Sequence, residues 1–314
     1  MERKTYLKNL IMLISVMAIF GTVGIVSGNI PYPSGVQALV RSVLGFSFIL
    51  IFMLITRRKP DASALGKYAV SLIASGICLG FNWILFFEAL KLTTVSTATL
   101  SYYFEPMILT LVSPMLFKES LNAKKVICIS VALFGMVLIS GVIGEAAEGV
   151  NALGIAFGLM AAVLYASVVI FNKKMKDIEP FTKTAAQFLV SFVVLLPYVF
   201  IFERDVPMTV DAKAIILLVV LGVLHTGIAY VIYFGAAAAL PAHTISIYSY
   251  IDPIVALILS VAIAKDVLTP YLVVGAILIL GSSFVCELPL NVPQLIKKML
   301  TREKNTEENS DENR

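Results

Sequence analysis

The sequence predicts an all-α membrane protein with ten transmembrane helices, arranged as two inverted five-helix repeats. Three observations predict it. Apolar runs of membrane-spanning length recur ten times, Lys and Arg crowd into alternate loops, and the chain matches itself at a shift of 147 residues.

Composition sets the class. Of 314 residues, 59% are hydrophobic and 14% charged, with mean hydropathy +0.93. Soluble domains carry about 25% charged residues. So much apolar surface cannot be hidden in one core and must face lipid. A net charge of +4 spread over short loops forms no patch for nucleic acid. Cys78, Cys128 and Cys286 are far apart in apolar stretches, and their spacing suits neither a disulfide framework nor a metal site.

The spans fall near residues 10–27, 35–56, 67–90, 96–117, 124–143, 152–171, 181–202, 212–238, 243–264 and 268–286. Each is long enough for about 30 Å of hydrocarbon. Pro31-Tyr32-Pro33, Arg57-Arg58-Lys59-Pro60, the stretch 145–149 and Lys173-Lys174 mark breaks. Lys91 and Pro241 mark the two weakest breaks, at 91–95 and 239–242. Arg3, Lys4 and Lys8 before the first run resemble a secretory leader. Nine similar runs follow, so the first is expected to remain as a span.

Loop charge orients the chain. Nineteen Lys and Arg fall on the side of the N-terminus and four on the other (Lys91, Arg204, Lys213 and Lys265), with Arg41 inside a span. Positively charged loops stay in the cytoplasm, so both termini are expected there, in a multi-pass protein of the cytoplasmic membrane. An odd number of spans would scramble this split.

At the 147-residue shift, segment 87–119 lies over 234–266 with seven identities, among them Tyr103/Tyr250, Pro106/Pro253 and Lys118/Lys265. Glu105/Asp252 and Glu119/Asp266 match as acids. Unrelated apolar helices would not readily both place an acid before a mid-span proline. Two repeats of five spans insert upside down relative to each other. The expected units are 1–147, 148–290 and a charged cytoplasmic disordered tail, 291–314. Inverted repeats characterise secondary transporters, with a site near the midplane.

Glu105-Pro106…Lys118-Glu119 and Asp252-Pro253…Lys265-Asp266, each followed by a span with a glycine (Gly135, Gly281), resemble the EamA-type permeases of the drug/metabolite transporter superfamily. The resemblance covers residues 10–286. It implies export or exchange of amino acids, metabolites or drugs through a cavity between the halves, with the fifth and tenth spans peripheral. Phe20-Gly21 stands where relatives often have Trp-Gly.

Glu105 and Asp252 are each the tenth residue of a span, about 15 Å deep. A charge there costs roughly 2.5–3.5 kcal/mol on insertion, so it must be paired, protonated or facing a watery cavity. Pro106 and Pro253 each remove a backbone donor and are candidate hinges. The carboxyls are candidates for binding substrate or protons, or for capping a neighbouring helix. His225 lies at similar depth as a candidate relay or a neutral core residue. His243 is expected at an interface. Arg41 either pairs with Glu88 or binds a substrate carboxylate. Tyr102, Tyr103, Tyr248, Tyr250, Asn82, Trp83 and Tyr230 are candidate cavity liners.

No phosphate-binding loop, HExxH or nucleophile elbow is present, so no catalytic residue, metal or cofactor is expected. The expected function is a secondary transporter or facilitator of small organic solutes, an exporter working by alternating access. The alternative is a membrane enzyme acting on a lipid-linked substrate. Expected partners are a small-molecule substrate and the bilayer, with protons as a candidate coupling ion and a homodimer as a candidate assembly.

Overall fold

In lipid the backbone has no water to bond, so an open chain satisfies its polar groups by forming helices. The computed structural model describes residues 3–60, 62–117, 122–142, 149–206 and 211–288, and among these there is helix and no strand. Lys118, Glu119 and the tail lie outside the described residues, as does the side chain of His243.

The first half holds α1 (Arg3–Gly21), α2 (Val23–Gly28), α3 (Ser34–Ile55), α4 (Ala62–Lys67), α5 (Ala69–Leu92), α6 (Val95–Tyr102), α7 (Glu105–Phe117) and α8 (Ala123–Ile139). The second holds α9 (Ala152–Lys174), α10 (Pro180–Phe202), α11 (Ala212–Val219), a π-helix π1 (Val220–Ile228), α12 (Ala229–Ala237), α13 (Ala242–Ser249), α14 (Ile251–Leu259), a second π-helix π2 (Ser260–Ala264) and α15 (Pro270–Glu287). Asn122, Asn151, Glu179, Asp211 and Thr269 cap helix starts through their side chains.

Among the described residues, eight helical stretches are long and apolar enough to cross a membrane. The two expected spans that fall short have visible reasons. Segment 96–117 is divided into α6 and α7, of 8 and 13 residues, and α8 has only 17. Large apolar side chains face outward, with Val70 82% and Met115 84% exposed, as a lipid-facing surface requires.

The helix is interrupted by two residues ahead of Pro106 and by the single residue Tyr250 ahead of Pro253. A proline has no backbone donor and its ring crowds the carbonyl four residues back, so it disrupts the turn ahead of it and fits the first turn of a new helix. Tyr103 and Phe104 form a turn, and α7 begins at Glu105-Pro106. In the second copy Tyr250 separates α13 from α14, which opens Ile251-Asp252-Pro253. Both acids therefore sit in the first turn of a half-helix.

Helices α8 and α15 pack on each other through glycines. A Cβ on Gly275 would collide with Ile139 Cγ2 and lie 2.9 Å from the Gly135 carbonyl oxygen. Both contacts are too short to absorb without moving a backbone. Gly275→Ala is expected to destabilise the protein by about 1–3 kcal/mol, the usual range for overpacking. Thermal unfolding of purified protein in detergent checks this.

Candidate functional site

A cavity of about 600 Å³ lies between residues of the two halves. Its deep end is lined by Arg41 on α3 and by Asn82 and Trp83 on α5. Arg41 is eight residues into α3, about 10 Å from the end of that helix opposite the Lys/Arg-rich loops. At the other end of the cavity stand Lys125 near the start of α8, Lys173 near the end of α9, and Cys286 and Glu287 at the end of α15. These are the helix ends next to the Lys/Arg-rich loops. The cavity therefore spans from beyond mid-helix to the basic face.

Its walls are aromatic. Phe86 and Tyr102 rings are 4.7 Å apart, and Tyr102 and Tyr165 rings are 5.7 Å apart. Phe20 meets Tyr230 edge-on at 5.8 Å, so phenylalanine forms this part of the wall. The Asn82 side-chain amide donates to the Ala161 carbonyl at 2.6 Å, tying α5 to α9.

The two acid–proline turns line the cavity from opposite halves through Glu105 and Asp252. Tyr103 and Tyr250, the turn residues of the two copies, line it as well, and Tyr103 faces Asp252. Gly21 of α1 lies against the Asp252 backbone, where an added Cβ would be 2.6 Å from that carbonyl oxygen. Pro106 lines the cavity. Pro253 is buried in α14, and Tyr248 packs with Tyr233 and Ile251 in a core cluster.

His225 is buried in π1, beside the cavity and not in its lining. A π-helix shifts each backbone bond by one residue and exposes carbonyls to side chains. His225 Nδ1 is 3.1 Å from the Val220 carbonyl oxygen, so Nδ1 carries a proton. Nε2 is 2.6 Å from Thr22 Oγ1, whose hydroxyl is also 2.8 Å from the Ile19 carbonyl oxygen. One hydroxyl proton faces two acceptors. The Ile19 carbonyl already accepts from Thr22 N at 3.0 Å, so a neutral imidazole that accepts the Thr22 hydroxyl at Nε2 leaves none of these groups without a partner.

Arg41 is not paired with Glu88, as one reading of the sequence had it. Glu88 reaches Lys91 at 3.3 Å, one helical turn away. Arg41 Nε instead donates to Thr226 Oγ1 of π1 at 2.8 Å. Its guanidinium lies 4.5 Å from the centre of the Trp83 ring, close enough for a cation–π contact.

At the helix ends away from the Lys/Arg-rich loops, the halves are bridged by two carboxylates that were not among the site residues expected from the sequence. Glu203, just past the end of α10, accepts from Gly35 N and Val36 N at 2.9 Å each, across the halves. Glycine at position 35 leaves room, since a Cβ there would be 2.6 Å from Glu203 Oε2. Asp266, after π2, accepts from Ser96 N at 2.8 Å and Ser96 Oγ at 2.6 Å at the start of α6. Ser96 Oγ is also 2.6 Å from Ser260 Oγ. Each acid thus sits on the positive end of a helix from the other half. The available signal was an acid at a span end in a chain whose helices start with small residues. The partner, 168 or 170 residues away, is not written locally.

The profile of the EamA-like transporter family matches residues 7–141 and 152–286. The chain is 28% identical over 244 residues to the uncharacterized transporter YxxF of Bacillus subtilis, covering 77% of this chain and 78% of that one. An uncharacterized transporter of Vibrio cholerae is 23% identical over 270 residues, covering 83% and 86%. One solved crystal structure superposes with a TM-score of 0.61 at 19% identity, covering 89% of this chain and 96% of that one. That likeness concerns the fold.

Proposed function

Because this chain belongs to the EamA-like transporter family, as a multi-pass membrane protein, we propose that it is a secondary carrier of small organic solutes. In this reading ten crossings form two inverted halves, 1–147 and 148–290, with both termini in the cytoplasm. The carrier binds amino acids or related metabolites from the cytoplasmic side and exports them by alternating access.

The carrying observation is the asymmetry of the cavity: it reaches the Lys/Arg-rich face, while Glu203 and Asp266 bridge the halves at the opposite face. A carrier waiting for a cytoplasmic solute has this shape. Rocking one half against the other would break both bridges and close the present mouth. The aromatic walls suit a solute with an apolar body. Protons are the favoured coupling ion, supported by the two carboxyls that line the cavity from opposite halves. Nothing in the cavity favours chemistry on a lipid-linked substrate over carriage.

The test is flux of labelled amino acids and small carboxylic metabolites into vesicles reconstituted with purified protein. Protein-dependent, saturable flux of at least one panel member is expected. No flux above protein-free vesicles across the panel would overturn the reading.

A further inference from the structure

Arg41 is 94% buried, being 6% exposed, and it is a cation at a depth where charge is costly. A cation held there is normally paired. Among the described residues, no carboxylate pairs with Arg41. Among the described residues its one hydrogen bond is from Nε to Thr226. The two terminal nitrogens have no partner among the described residues, are not sealed off from solvent, and belong to a residue that lines the cavity.

The side chain is also held in place. Thr226 Oγ1 itself donates to the Leu221 carbonyl at 3.0 Å, so the widened turn of π1 fixes the acceptor that fixes Arg41. Trp83 covers the guanidinium at 4.5 Å, and Phe87 lies at 6.0 Å. A guanidinium bonded through Nε and stacked on a ring presents its terminal nitrogens as a rigid fork. Such a fork matches the two oxygens of one carboxylate.

We propose that Arg41 is the anchor for the carboxylate of the transported solute, a monocarboxylate with an aromatic or other apolar body. This deepens the carrier reading and rests on it. The anionic end would sit at the deep end of the cavity, and the body would lie among the rings of Phe86, Tyr102, Tyr165 and Tyr230. The same cavity carries Glu105 and Asp252, which disfavours solutes of higher negative charge.

Trp83 is the only tryptophan in the chain, so its fluorescence reports directly on the guanidinium it covers. Purified protein in detergent is titrated with 3-phenylpropionate, with 3-phenylpropionamide and with sodium chloride, at constant ionic strength. A saturable change is expected with the carboxylate and not with the amide or chloride. Arg41→Gln is expected to weaken the response about thirty-fold or more, and Arg41→Lys, which keeps the charge without the fork, by less. Equal responses to carboxylate and amide, or to carboxylate and chloride, would overturn the proposal. So would an unchanged response in Arg41→Gln. If that variant does not fold, the ligand comparison on the wild type decides alone. Binding is read here without transport. A carboxylate-specific response with no vesicle flux would sink the carrier reading, and flux without carboxylate preference would sink only this proposal.

Discussion

Replacing Glu203 by Gln and Asp266 by Asn together is expected to open the face opposite the cavity mouth. Glu203 is buried and Asp266 half-buried, and each accepts two hydrogen bonds at a helix start in the other half. A hydrogen bond to a charged group contributes about 1.5–3 kcal/mol net, and the low end suits the more exposed Asp266. Removing both charges should shift the balance of the two states by about 3 kcal/mol, roughly 150-fold. A protein that starts at about 100 to 1 would come near parity.

Thr99 lines the cavity on α6 and provides a reporter position. In Thr99→Cys made in a background lacking the native cysteines, an impermeant maleimide applied from the face opposite the Lys/Arg-rich loops should label poorly. Adding the two charge-removing substitutions should raise that labelling about fifty-fold, following the population change. Unchanged labelling from that face would mean that the two carboxylates do not hold it shut.

Replacing Glu105 by Gln and Asp252 by Asn is expected to separate exchange from proton-driven accumulation. Both carboxyls stand in the first turns of half-helices facing the same cavity. An amide keeps the shape and some hydrogen bonding but cannot take up and release a proton. With the panel solute that moves fastest, accumulation driven by an imposed pH gradient should fall at least tenfold. Exchange of labelled for unlabelled solute at equal pH should persist within about threefold. These values assume the loss of a coupling step worth more than about 1.4 kcal/mol. Accumulation that survives in the double variant would remove both carboxyls from the coupling path.

The helices were largely legible because hydropathy is a property of short segments. Expected span limits such as 35–56 and 181–202 differ from α3 and α10 by a residue or so. The acid before proline was also legible, since it is local and repeated. Where each step interrupts its helix was less legible, because the break falls two or three residues ahead of the proline, at Tyr103-Phe104 and at Tyr250. Of the two readings open for Arg41, the pairing with Glu88 fails for a different reason. Position along a helix gives depth, and Glu88 lies at a suitable depth, but rotation about the axis decides contact. Lys91, three residues on, holds Glu88. The π-turn at Val220–Ile228 leaves no mark in hydropathy, yet it fixes both His225 and Thr226. Asp266 was visible as half of a repeat pair, while its bond to Ser96 requires the folded halves.

A carrier exposes one cavity to each side in turn, whereas a pore is open to both at once. Counterflow separates the two. Reconstituted vesicles are loaded with a high concentration of the unlabelled panel solute and diluted into a trace of the labelled one, with no gradient of pH or charge. A carrier returns from each outward trip with labelled solute, so a transient overshoot of label inside the vesicles is predicted, above the external concentration. Label that only equilibrates, at a rate indifferent to the unlabelled solute inside, would indicate an open pore and contradict the account.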